Sequence, residues 1–308
     1  EGGKVLEEDV ELVNFPYQKM LNPGNHHAAV SPDRSKLVIL GELPFDKKAP
    51  AKVRVGLFDE ELNELKEEEV TLPVDNKRYK YLKPIVANNG RVFILHKLTL
   101  GAGERVLSIF EWTVDSDGKL KEYKFEMPDN LSDFVTTVNA DNELVLAGTY
   151  ETRGGSAAKG VFAFTTAGDG QIKTSDFDNA IADLAPREIF ISGNTMFLTA
   201  EQYKRDKEII KSGAATSGID ETYTYTHKDQ YVIGMDLEGN KLFDVMLNRD
   251  FSARDFNQLY RTSYFVQDGK LLVFYNDAMN KYVQGVANYR IIPVMVRIST
   301  DGLMEAPV

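Results

Sequence analysis

Cysteine is absent from the 308 residues, which removes disulfides, thiolate metal ligands and cysteine nucleophiles together. The same absence leaves the compartment open, because a cytosolic chain and an exported one can both do without thiols. Tryptophan occurs once, and there are only four histidines, His26, His27, His96 and His227. No two of them have the spacing of a helical metal motif, and adjacent His26 and His27 point to opposite sides of an extended strand, so no metal site is expected. No cofactor motif is present either. Long apolar runs are missing: nothing approaches the ~18 consecutive apolar residues of a membrane-spanning helix. The opening EGGKVLEEDVELV has no basic n-region and no apolar h-region; with Glu1 in place of methionine, it reads as a chain whose export signal has been removed. Basic charge is scarce, 36 Lys and Arg against 47 Asp and Glu for a net charge of -11. With no run of Lys and Arg interleaved with aromatics, that balance argues against nucleic acid as a partner.

What remains is ordinary for a folded chain: 43% hydrophobic and 27% charged residues supply both a core and a soluble surface. The pattern is less ordinary. MDLEGNKLFDVML at 235–247 places a Gly-Asn turn between two alternating apolar stretches, the signature of a hairpin. Similar turns centre on Asn63, Gly118, Gly170 and Gly302. A second set, SPDRSKLVIL, ANNGRVFIL, NADNELVLA, ISGNTMFLTA and VQDGKLLVFY, alternates with the first along the chain. From Ser35, Gly90 and Asn142 the following turn of the first set arrives 28 residues later each time. In the fourth unit it arrives 45 residues after Asn194, which is 17 too many.

Two hairpins in a unit of about 50 residues make four strands, the content of a propeller blade. The expected fold is therefore all-β, a β-propeller of about five four-stranded blades, or six if the termini build another. One domain spans 1–308: an N-terminal segment 1–27 with one strand, VELVNF, that either closes the ring by pairing with the last blade or packs outside it, then blades at about 28–75, 81–128, 133–178, 186–249 and 259–308. The excess in the fourth blade is expected as a loop at 203–226, between its second and third strands. DEELNELKEEEV, although rich in helix formers, sits at a turn position of the repeat and reads as strand, turn, strand.

Chemical motifs are weak. SAAK at 156–159 has the Ser-x-x-Lys spacing of penicillin-recognising enzymes but lacks their companion motifs and lies in a Gly/Ala/Ser loop. DSDG at 115–118 and GDG at 168–170 lack the spaced oxygen ligands of a calcium loop and read as turns. The innermost strands, AAV, PIVA, TTVN, IFIS and SYFV, carry no Asp or Glu, which counts against a glycosidase built on two acids, and no catalytic residue is assigned. Just before those strands come His26, His27, Lys83, Asp133, Arg187, Glu188 and Arg261. His27, Lys83, Arg187 and Arg261 are the candidates for an anion-binding channel mouth, the plainer reading being rim charges with local Asp and Glu partners. In the insertion, TYTYTH is either a strand extending past the blade or a row of rings that stacks on sugars or peptides, which makes Tyr203, Tyr223, Tyr225 and His227 candidates for partner binding.

VSPDRSKLVILGELPFDKK, VGLFDEELNELKEEEVTLP, VANNGRVFILHK, FLTAEQYKRD and LLVFYNDAMN together resemble a family of exported β-propeller-like proteins common in Bacteroidota-type bacteria, over residues 28 to 300. Lys66 stands where relatives often have Trp. The resemblance implies fold and export, to the periplasm or cell surface, and implies no catalytic residue. The functional expectation is a non-enzymatic binding or scaffold module that docks a protein or glycan on a propeller face, monomeric outside any complex. The alternatives are a carbohydrate-active or other hydrolase using the channel mouth, and a structural subunit of an outer-membrane-associated assembly.

Overall fold

The computed structural model describes residues 11–14, 25–44, 49–74, 80–99, 105–123, 130–152, 155, 157–167, 171–211, 219–254, 261–285 and 290–307. The described elements are β-strands and two single-turn 3-10 helices, and no described helix is long and apolar enough to cross a membrane. The strands form five antiparallel sheets. The first is β1 (Asn25–Val30), β2 (Lys36–Glu42), β3 (Lys52–Asp59) and β4 (Glu64–Thr71), side by side in chain order. The second is β5 (Lys80–Val86), β6 (Val92–Thr99), β7 (Arg105–Trp112) and β8 (Lys121–Tyr123). The third is β9 (Asn130–Val138), β10 (Leu144–Glu151), β11 (Ala157–Thr165) and β12 (Lys173–Ala182). The fourth is β13 (Leu184–Ser192), β14 (Thr195–Lys211), β15 (Ile219–Asp236) and β16 (Lys241–Leu247), with β17 (Phe251–Arg254) also paired to β15. The fifth is β18 (Ser263–Gln267), β19 (Lys270–Ala278) and β20 (Ile291–Ile298).

The turns repeat one device. Asp59 Oδ1 accepts the N–H groups of Glu61 and Asn63 while Asn63 Nδ2 donates to Oδ2, and Leu62 takes a positive φ of 65°. Asp236 does the same for Glu238 and Asn240, with Gly239 at φ 93°. In the inner hairpins Asn139 accepts from Asp141 and Glu143, and Asn142 is the left-handed residue. A short acceptor side chain thus satisfies the N–H groups that the turn would leave bare. Leu62 has a β-carbon that opposes this backbone conformation, so Leu62→Gly is expected to raise stability by about 0.5–1 kcal/mol in urea titration.

DEELNEL is accordingly strand, turn, strand. DSDG is a 3-10 turn closed by Asp117 and Gly118 at positive φ, while Gly170 and GDG at 168–170 lie outside the described residues. Three expectations fail. Residues 11–14 of VELVNF form no strand; Arg54 Nη1 donates to Asn14 O at 3.0 Å, so the segment packs on the first sheet. The fifth sheet has three strands, because after the turn at Gly302 only an isolated bridge joins Met304 to Ile298. The excess in the fourth unit is not a loop. It lengthens β14 and β15, which stay paired from Thr195–Asp236 out to Lys211–Ile219 as a hairpin arm. Residues 212–218 at its end lie outside the described residues.

By contacts the chain forms two compact units, residues 1–126 with 138–144, and residues 127–137 with 145–308. In the first, Val38, Leu40, Val55 and Leu57 meet Val86, Ile94, Phe110 and Trp112 in one core. In the second, β14 is buried on both faces: Met196, Leu198 and Ala200 join Val145, Ala147 and Val161, while Phe197 joins Val273, Val294 and Val296. Central strands covered on two sides read as continuous apolar runs such as MFLTA, whereas edge strands β4 and β16 alternate. In β16 the core side is Phe243 and Val245, not Leu242, which is 54% exposed. A register shift between Gly234 and Met235 moves the alternation by one.

Candidate functional site

Four of the eight singled-out residues lie on the arm, and a fifth reaches it. Along β14, Tyr203, Arg205 and Lys207 fall on one face by alternation. Their directly paired neighbours on β15 are His227, Tyr225 and Tyr223, and direct partners in an antiparallel pair share a face. The register that does this is not regular. Glu201 pairs with Gln230 but Tyr203 pairs with His227, so β15 carries one extra residue, Lys228 or Asp229, opposite Gln202. Such a bulge exchanges the two faces of the strand beyond it. In an unbroken register Lys228, Thr226 and Thr224 would stand beside Tyr203, Arg205 and Lys207.

A second bulge supplies Arg187. In β13, Pro186 pairs with Ala200 and Glu188 with Thr199, which leaves Arg187 as the unpaired extra residue, re-aimed toward the root of the arm. Its Nη2 donates to Glu201 Oε2 at 2.8 Å and its guanidinium lies over the Tyr203 ring, 4.8 Å from the centroid. His227 Nδ1 donates to Glu201 Oε1 at 2.7 Å, and the Tyr203 and His227 rings are 5.1 Å apart. Arg249 closes the cluster from below, with Nη1 3.7 Å from Glu201 Oε1 and 2.9 Å from Thr262 Oγ1. Its side chain is fully buried against the Phe251 and Tyr275 rings.

Burial alone would push the Glu201 carboxyl up; the His227 hydrogen bond and the charges of Arg187, His227 and Arg249 instead hold it below the usual range. Burial pulls the Arg249 guanidinium down from its ordinary value and pushes the Tyr264 phenol up. Glu201 is thus an ionised carboxylate whose two oxygens are both engaged, a poor general acid or base. The other buried carboxylate among this unit's described residues, Asp277, accepts from Tyr282 Oη at 2.7 Å and lies 2.9 Å from Lys281 Nζ.

Outward along the same face, the Arg205 guanidinium lies over the Tyr223 ring at 4.5 Å, and the Tyr223 and Tyr225 rings are 6.4 Å apart, 32° from parallel. The opposite face differs in kind. There Gln202, Lys204, Asp206, Thr226 and Lys228, with Ala182, Asp183 and the backbone of Tyr203, border a shallow cleft of ≈ 260 Å³ in which Lys204 and Asp206 pair at 2.9 Å.

The remaining candidates are placed elsewhere. His27 and Lys83 lie inside β1 and β5, and Arg187 inside β13, not ahead of those strands as the alternation suggests; only Arg261 precedes its strand. His27 Nε2 is 3.0 Å from Glu42, so His27 and Arg187 both have the local carboxylate partners of the plainer reading. Lys159 of SAAK is in β11, 3.4 Å from Asp176, and Ser156 lies outside the described residues. Among the described residues no group of three or more His, Asp or Glu is placed to hold a metal ion. Glu201, Arg249 and Thr262 were not singled out from sequence. The signal available was a Glu ending a largely apolar run, FLTAE, a position that a charge occupies only with partners.

No protein-family model matches the chain, and no curated protein matches it in sequence. Among solved structures, hydrazine synthase of Kuenenia stuttgartiensis is 15% identical over 95% of this chain and 68% of that one, with a TM-score of 0.42. An α-L-arabinofuranosidase from Lactobacillus brevis is 10% identical over 91% and 92%, with a TM-score of 0.38. A levansucrase variant of B. megaterium is 10% identical over 91% and 83%, with a TM-score of 0.33. Likeness at this level says nothing of the chemistry of the present chain.

Proposed function

We infer that the chain is a non-enzymatic binding module, its sheets the blades of one propeller and its partner held on the aromatic, cationic face of the β14–β15 arm. The blade reading is supported by four sheets that keep chain order across their strands and by the 28-residue offset between hairpins. The observation that carries the binding reading is the convergence of Arg187, Tyr203, His227, Arg205, Tyr223 and Tyr225 on one side of a single hairpin. Tyr and Arg dominate recognition surfaces, Tyr because it offers a large area for two frozen torsions and Arg because its planar fork makes two-point contacts. Against hydrolysis stands the state of the buried acids among the described residues: Glu42, Glu201 and Asp277 are each engaged by a histidine, a cation or a phenol, which leaves none free to move a proton.

The test is recovery of partners by the immobilised protein from an extract of its source, with Tyr223→Ala/Tyr225→Ala as the comparison. Both rings are half-buried on a surface hairpin, so the fold should survive, as circular dichroism would verify. Recovery is expected to fall at least tenfold. Undiminished recovery by the folded variant, or release of product from a panel of chromogenic glycosides, would overturn the reading.

A further inference from the structure

We propose that the arm face binds an acidic polysaccharide, with Arg205 taking the anionic group and Tyr223 and Tyr225 taking the sugar rings. The proposal rests on reading the arm as a binding surface and names its ligand class. Its first support is the state of Arg205, a guanidinium that lies over a tyrosine ring. Arg54, Arg91, Arg187, Arg249 and Arg297 each have a carboxylate within 3.7 Å. Arg205, like Arg34, Arg261 and Arg290, has none among the described residues. Its guanidinium is instead stacked on Tyr223, which fixes the plane of its donor fork while leaving the edge that carboxylates and sulfates recognise in two-point fashion.

The second support is the local charge. Lys207 lies on the same face as Arg205, whereas Asp206 and Glu208 alternate to the other side. The third is shape. Tyr223 and Tyr225 are two residues apart on one strand with rings inclined by only 32°, a shelf. Peptide partners are anchored by side chains that fill pockets; a shelf suits the flat C–H face of a sugar ring.

The experiment uses the intact chain in affinity electrophoresis through gels holding polygalacturonate, dextran sulfate, dextran or poly-L-glutamate. Retardation is expected with polygalacturonate or dextran sulfate, weaker at high salt, and the two arms separate carboxylate from sulfate recognition. Arg205→Gln is expected to weaken it at least tenfold, and Tyr223→Ala about as much, with unchanged thermal midpoints. Equal retardation by dextran would overturn the role of the anion. Equal retardation by poly-L-glutamate would make the surface one for acidic peptides and overturn the role of the sugar. Full retention of binding in Arg205→Gln would overturn the site. Failure of every polymer to bind overturns the ligand class alone, because the binding-module reading falls separately, on product release or on undiminished partner recovery.

Discussion

Replacing Glu201 by alanine is expected to lower the unfolding free energy by about 3–5 kcal/mol, the cost of removing one member of a buried ion pair while its partner stays. Arg249 has no exposed side-chain surface and His227 very little, so neither can turn to water when the carboxylate goes. Glu201→Gln keeps the volume and is expected to lose nearly as much, since charge is what Arg249 needs. Denaturant titration by far-UV circular dichroism reads both; a loss within ~0.5 kcal/mol, the range of surface substitutions, would overturn the account. The pH dependence has a definite sign. The folded-state carboxyl titrates below its unfolded value of about 4.3, so its contribution is complete above that pH and is lost as pH falls through the folded-state value. Wild type should therefore lose an acid-sensitive increment of stability that Glu201→Gln lacks.

Trp112→Ala is expected to cost a similar amount, about 3–5 kcal/mol, through the cavity it opens. Trp112 is fully buried, pairs with Val92 across β6 and β7, and packs in the core with Leu57, Val70 and Phe110. Its Nε1 also donates to Glu68 Oε2 at 2.8 Å. Trp112→Phe keeps most of the volume and is expected to lose about 1–2 kcal/mol, because the half-buried Glu68 can turn to water. The same titration measures both, and equal losses for the two would mean the hydrogen bond outweighs the packing.

The parts of the fold that were legible in the sequence are those set by neighbours along the chain. Asp59 with Asn63 and Asp236 with Asn240 announce their turns because acceptor, donor and left-handed residue all fall within five positions. The excess between Asn194 and Gly239 correctly located the arm, but offset arithmetic counts residues and cannot tell a loop from paired strand. What escaped was set across the chain. Nothing local to Arg187 says that it bulges from β13, and nothing local to Arg249 says that it lies under Glu201. The fourth strand assigned to the fifth sheet failed because LMEAP alternates too briefly to hold a strand without the partner that geometry withholds. TYTYTH did predict that its tyrosines share a side; which neighbours they would share it with depended on one unpaired position.

That position, the extra residue at Lys228 or Asp229, works as a phase shifter between the buried and the projecting halves of β15. Deleting one of the two residues would close the bulge and leave both halves paired as before; pairing both into the ladder, residue for residue, would turn the outer half over, so that Thr226 and Thr224 replaced Tyr225 and Tyr223 beside Arg205 and Lys207. No side chain would have been substituted, yet an aromatic surface would have become a hydroxyl one. An arm of this construction can change what it presents by a one-residue slip at its root, so register, ahead of composition, is the variable through which its specificity is free to diverge.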